Sequence, residues 1–235
     1  MISNGSGISP EEGVGSGTIG GDGLKGGGGG ASPGTLLFWD TFTEASDTLL
    51  TAHTPDIDNT GMAWSVDGTN NNWRVSLTGS APFFNTCRGR GANSAGYITN
   101  SETSYILKAD NASTTGFTGF LLCARWVDSN NYWRTFKNTE GSYTAGIQER
   151  TSGTLTVRAS VGTTLASGEY VWMADDGSTI TMGRESDSSA LLSYSSTTHN
   201  TSQNCGLTAN TADDFIADNF LVYTGTTDPS ALVEP

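Results

Sequence analysis

The residues that could do chemistry fall into a few groups. Asp56-Ile-Asp58-Asn59-Thr60-Gly61, with Asp67 further on, sets oxygen ligands at loop positions 1, 3, 5 and 12 and glycine at 6, the spacing of a calcium loop. Pro55 before it and the strand-like Met62-Ala-Trp64 after it leave no flanking helices. An Asn/Asp turn is therefore the stronger reading, with calcium at Asp56, Asp58, Thr60 and Asp67 the weaker one, and no other cofactor is expected. Two polar runs end in aromatics: Asn70-Asn-Asn72-Trp73 and Asp128-Ser-Asn130-Asn-Tyr132-Trp133. Rings can stack on sugar faces while Asn and Asp bind hydroxyls, so Asn72, Trp73, Asn130, Tyr132 and Trp133 form a candidate glycan site. The competing reading places the same rings at strand starts, where alternate residues enter a core. His53 and His199 are the only histidines, and no G-x-S-x-G elbow supplies a serine nucleophile. Gly15-Ser-Gly17-Thr-Ile-Gly20 matches a dinucleotide fingerprint in letters only, since neither a strand before it nor a helix after it is encoded.

The elements that must hold these residues are strands. From residue 35 onward, short runs rich in Val, Ile, Thr and aromatics alternate with Gly, Asn, Asp and Ser clusters every 8–12 residues. Strands are expected near 35–43, 61–66, 72–78, 96–99, 104–108, 117–127, 132–137, 142–150, 154–161, 170–174, 179–183, 190–195 and 215–223. The residues around Thr151-Ser-Gly153 alternate in period two on both sides and read as a hairpin, and Asp175-Asp-Gly-Ser178 reads as a tight turn. About thirteen strands and almost no helix imply an all-β, two-sheet sandwich. Six tryptophans and nine phenylalanines supply its core.

Composition divides the chain at about residue 34, because 14 of the 31 glycines precede that point. Residues 1–34 read as an extended glycine arm whose apolar residues Ile2, Ile8, Val14, Ile19 and Leu24 could peg it to a partner surface. Residues 35–225 form the sandwich, and 226–235 a short C-terminal tail. Ser and Thr total 61, against only three lysines and eight scattered arginines, and the net charge is −13. That charge would be repelled by nucleic acid and by anionic membranes. No apolar run reaches membrane-spanning length, and the start of the chain lacks a basic-then-apolar leader. Cys87, Cys123 and Cys205 are far apart, without zinc-like spacing, and read as buried thiols.

The segment order resembles the concanavalin A-like (laminin-G-like) jelly roll over residues 36–223. Phe38-Trp-Asp-Thr-Phe42 is similar to that family's first strand and Asp218-Asn-Phe-Leu-Val222 to its last. The passage from Gly119 to Arg134, and Gly206-Leu207, match the middle of the pattern. The resemblance implies a curved sheet packed on a flatter one. In the hydrolase branch of that superfamily, E-x-D-x-x-E on one strand carries catalysis. Glu185-Ser-Asp187-Ser-Ser-Ala190 lacks the second glutamate, so the sequence leads to the expectation of a protein that is not an enzyme. The arm, the acidic sandwich and the missing leader together suggest a virion structural protein of a tailed phage, such as a capsid decoration, head-fibre or tail component. It would be made in the host cytoplasm and sit on the outer surface of the particle in many copies, bound to capsid or tail proteins. The alternative is a glycan-binding adhesion module touching a host surface glycan, and after it a glycoside hydrolase. A sheet edge at Gly96–Thr99 is a further candidate for pairing between copies.

Overall fold

A computed structural model of the 235-residue chain describes residues 34–59, 61–67, 73–76, 86–89, 93–111, 121–140, 143–162, 169–185, 190–209, 215–225 and 227–235. The arm residues Ile2, Ile8, Val14, Ile19 and Leu24, together with Thr60 and Asn72, lie outside them. Strands follow in chain order: β1 Thr35–Asp40, β2 Thr48–Leu49, β3 Ile57–Asp58, β4 Ser65–Asp67, β5 Arg74–Ser76, β6 Thr86–Gly89, β7 Ser94–Thr99, β8 Tyr105–Asn111 and β9 Leu121–Asp128. After them come β10 Asn131–Glu140, β11 Tyr143–Thr151, β12 Thr154–Val161, β13 Tyr170–Asp175, β14 Thr179–Arg184, β15 Leu192–Ser195, β16 Asn204–Ala209 and β17 Phe215–Thr224. Single 3-10 turns at Leu50–Ala52 and Pro229–Ala231 are the described helical segments. No helix among the described residues is long and apolar enough to cross a membrane.

The strands pair antiparallel into two sheets, the expected sandwich. One runs β12-β11-β10-β9-β16-β7-β4; the other runs β15-β14-β13-β8-β17-β6-β5-β2, with β1 joined to β17 and β3. The β11–β12 hairpin turns where Ser152 (φ 51°) and Gly153 (φ 80°) both take positive φ, the requirement of a two-residue turn matched to strand twist. β6 and β16 were not expected from sequence. Thr86–Gly89 and Asn204–Ala209 lack a β-branched run, and Gly206 sits mid-strand because a Cβ there would lie 2.3 Å from the Gly96 carbonyl oxygen. The expected edge at Gly96–Thr99 does not exist, since β7 lies between β16 and β4.

Between the sheets lies one large apolar core. Phe38, Phe42, Trp64 and Phe220 form its aromatic centre, with Phe38 edge-on to Trp64 at 5.3 Å and Trp64 5.1 Å from Phe220. Buried polar groups within it are bonded. Asp40 takes hydrogen bonds from Trp64 Nε1 at 2.6 Å and the Phe42 amide at 2.7 Å, and lies 2.8 Å from His53 Nε2. Arg125 ties one sheet to the other by donating from Nε and Nη2 to the two Asp175 oxygens at 2.8 and 2.6 Å, the bidentate geometry that suits a buried guanidinium. Cys87, Cys123 and Cys205 are free and buried, and burial pushes each thiol up.

Candidate functional site

Strand alternation gives the seven-stranded sheet a second face, turned away from the core. In β10 and β11, Trp133, Ala145 and Ile147 enter the core, so Tyr132, Arg134, Phe136, Gln148 and Arg150 point the other way. β16 sends Cys205, Leu207 and Ala209 inward and leaves Thr208 outside. In β9 the positive φ of Arg125 (50°) breaks the alternation and puts Trp126 on the same outer face as Cys123. The register then aligns Gln148, Arg134, Cys123, Gly206 and Tyr97 in one row across five strands.

This outer face is neither apolar nor fully bonded. Trp126 stacks on Tyr132 at 4.5 Å between ring centres and donates to Asp67 at 3.2 Å. Arg134 Nε donates to Gln148 Oε1 at 2.7 Å. Asn93 Oδ1 accepts from Arg150 Nη1 and lies 3.4 Å from the Tyr132 hydroxyl. Arg134, Gln148 and Thr208 are wholly buried. Gln148 Nε2, Thr208 Oγ1 and Arg150 Nε are buried atoms with no hydrogen-bond partner. Each such group costs about 1–3 kcal/mol, and native proteins carry few of them. Three of the four such atoms among the described residues lie on this one sheet face. Asn93, Tyr97, Arg150 and Asp67 are half-buried, whereas Gln148 and Thr208 are buried.

The aromatics singled out from sequence have a different role. Trp73, Tyr132 and Trp133 are at most 1% exposed, so none offers a ring face for stacking from solvent. Trp73 Nε1 donates to Ser94 Oγ at 3.1 Å and Trp133 Nε1 to the Thr198 carbonyl at 3.0 Å. Strand-start rings entering the core, the competing reading, describes Trp73 and Trp133, while Tyr132 is buried on the opposite face. Asn130 is exposed in the β9–β10 turn, beside neither of these tryptophans in the core. Sequence reasoning missed Arg134, Gln148, Arg150 and Thr208, although the period-two alternation in the expected strands at 132–137 and 142–150 already placed the first three opposite the apolar set.

The described calcium candidates Asp56, Asp58 and Asp67 do not converge. Asp56 accepts from the Thr41 amide and hydroxyl, both at 2.7 Å, and Asp58 caps the turn by accepting from the Met62 amide at 2.6 Å. Asp67 belongs to the other sheet, against Trp126. Among the described residues no three His, Cys, Asp or Glu side chains gather as a metal-holding group. His53 is not poised as a catalytic base either. Its Nε2 meets Asp40 at 2.8 Å and its Nδ1 meets Glu44 at 2.6 Å. Burial alone would lower its pKa, but the hydrogen bonds and charges of both carboxylates outweigh that and raise it.

A second polar cluster occupies the outer face of the ten-stranded sheet. A cleft of about 390 Å³ is lined by Lys108, Asp110, Tyr170, Glu185, Leu232, Val233 and Glu234. The C-terminal residues form one wall: Leu232 packs on the cluster of Ile106, Trp172, Leu221 and Tyr223, and Glu234 pairs with Lys108 at 2.7 Å. Asp110 and Asp218 stand opposite each other in register. Burial, reinforced by Asp110, Asp40 and Glu234, pushes Asp218 up to about 6. Burial also raises Asp110, against the pull of Lys108 and Asn219.

No protein-family pattern matches the chain, and no curated protein matches it. Similarity appears among solved structures. Domain 4 of AbnA, a GH43 extracellular arabinanase from Geobacillus stearothermophilus, solved in complex with arabinotriose, superposes with a TM-score of 0.50 at 12% identity, over 85% of this chain and 97% of that one. The GH43 protein BlXynB from Bacillus licheniformis gives 0.51 at 11% identity over 79% of this chain, which spans only 39% of BlXynB. At such identities the likeness shows a shared β-sandwich fold. Neither structure is a virion component, and the expectation of a phage structural protein gains no support from them. The expectation that the chain is not an enzyme is overturned by the same comparisons, since glycoside hydrolases carry this fold. The missing E-x-D-x-x-E motif excludes one catalytic arrangement only.

Proposed function

We propose that this chain binds carbohydrate through the outer face of its seven-stranded sheet. The observation that carries the reading is the set of buried, unpartnered polar atoms there, Gln148 Nε2, Thr208 Oγ1 and Arg150 Nε, beside the Trp126–Tyr132 stack. Sugar hydroxyls both donate and accept, and so can complete a mixed set of amide, hydroxyl and guanidinium groups. Gln148 and Thr208 stand three strands apart, about 14 Å at the usual strand spacing, which suits an extended oligosaccharide better than a single ring. The similar domain 4 of AbnA was solved with arabinotriose, which makes arabinan a first ligand to try. Affinity electrophoresis in gels containing soluble arabinan or xylan tests the reading. Retardation of the full chain, reduced in Gln148→Ala and Thr208→Val, is expected; unretarded migration in every polysaccharide opposes it.

A second reading, glycoside hydrolysis in the acidic cleft, is favoured by one observation. Asp110 lines the cleft, Asp218 stands opposite it in register on the neighbouring strand, and burial raises both carboxyls; a carboxyl of raised pKa can act as general acid. Release of reducing ends from arabinan or xylan, abolished by Asp218→Asn, would support it. No release above buffer from the wild-type chain would remove it.

A further inference from the structure

The unmet groups on the carbohydrate face share a polarity. Gln148 Nε2 and Arg150 Nε are both donors, two residues apart on one face of β11, and Thr208 Oγ1 can donate as well. Arg150 also differs from the other cations of known partner. Lys108 pairs with Glu234, Arg125 with Asp175, Arg158 with Glu149 and Arg184 with Glu169. The side chain of Arg150 meets only the neutral Asn93 amide oxygen. The carboxylates near it in sequence and on its face are already engaged. Glu149 points to the opposite side of the strand and holds Arg158 at 2.6 Å, and Asp67 accepts from Trp126. A half-buried guanidinium that meets no carboxylate, in a chain of net charge −13, leaves its Nε without a partner.

We propose, resting on the carbohydrate reading above, that this face selects acidic glycans. Arg150 takes the carboxylate of a uronic acid residue, and Gln148 Nε2 donates to the same residue. A carboxylate presents two oxygens in the plane of the guanidinium fork, which a hydroxyl cannot do, and the charge-assisted bonds are about twice as strong as neutral ones. The acidic surface of the chain opposes polyanions at long range, so selectivity must come from this local fork.

Titration calorimetry on the full chain tests the proposal with three probes: oligogalacturonate, the same oligomer fully methyl-esterified, and a neutral arabino-oligosaccharide of equal length. Oligogalacturonate is expected to bind about tenfold tighter than its ester. Arg150→Gln is expected to remove that difference, and Arg150→Lys, which keeps the charge but loses the fork, to restore it in part. Should Arg150→Gln fail to fold, the comparison of acid with ester on the wild-type chain decides alone. Equal affinity for acid and ester, or a preference that survives Arg150→Gln, overturns the acidic selectivity and leaves carbohydrate binding standing. Absence of binding to all three probes overturns both.

Discussion

Trp133→Ala separates a core role from a sugar-stacking role for an aromatic that its sequence context disguises. The ring is wholly buried between the sheets, 5.7 Å from Tyr194, with its Nε1 bonded to the Thr198 carbonyl. Truncating a buried Trp to Ala costs about 3–5 kcal/mol in lost transfer energy and cavity. The hydrogen bond adds little, because Thr198 still accepts from Arg125 Nη1 at 3.1 Å. For a domain of this size each kcal/mol lowers Tm by about 2–4 °C, so a fall of about 6–20 °C is expected. Thermal unfolding by circular dichroism reads it. Sugar affinity, measured well below the lowered Tm, should stay within about twofold of wild type, since the ring is on the face opposite the proposed ligand. A Tm within about 2 °C of wild type, combined with lost affinity, would refute the reasoning and return Trp133 to an exposed stacking role.

Two titrating groups predict that the chain is more stable in mild acid than above neutrality. His53 has a raised pKa, so its stabilisation is fully present below the ordinary value of 6.5 and is lost as pH rises through the folded value; His53→Gln should flatten that part of a urea-midpoint profile against pH. Asp218, raised from 3.8 to about 6, holds its proton more tightly when folded, so it favours the folded state at low pH and costs stability as pH rises across that interval. Asp218→Asn, which can still accept from the Asn219 amide, should gain about 1–2 kcal/mol at neutral pH and nothing near pH 3, read by chemical denaturation at both. Gly206→Ala would place its Cβ 2.7 Å from the Tyr97 Cα as well as against the Gly96 carbonyl. The β7–β16 pairing should therefore open, lowering Tm by more than about 6 °C. The three thiols, buried and raised in pKa, should react with a thiol reagent only at the rate of unfolding; labelling of the native chain within minutes would contradict their placement.

The fold was largely legible because period-two alternation survives in long strands, and β12 was bounded correctly at Thr154 and Val161. β16 was not, since the same glycine that lets β7 approach removes the β-forming signal from Asn204–Ala209. The burial of Trp73 and Trp133 was hard to read for a related reason. Asn-rich flanks made Trp73 and Trp133 look like loop aromatics, whereas the first residues after those flanks already alternate into the core. Tyr132 shows how a single step in register changes the outcome: it faces away from the core, one residue from Trp133, yet is buried against Trp126. The donor set of Gln148 and Arg150 could have been read from alternation. That these donors lack partners could not, because it depends on where Asn93, Arg134 and Arg158 point, and those positions come from distant segments.

The central claim is tested most directly by a crystal structure of the full chain soaked with an oligosaccharide that it retains in affinity electrophoresis. The sugar is expected on the outer face of the seven-stranded sheet, with Gln148 Nε2 and Arg150 within hydrogen-bonding distance of its oxygens. A sugar held instead in the cleft of Asp110, Tyr170 and Glu234 would contradict the assignment of that face.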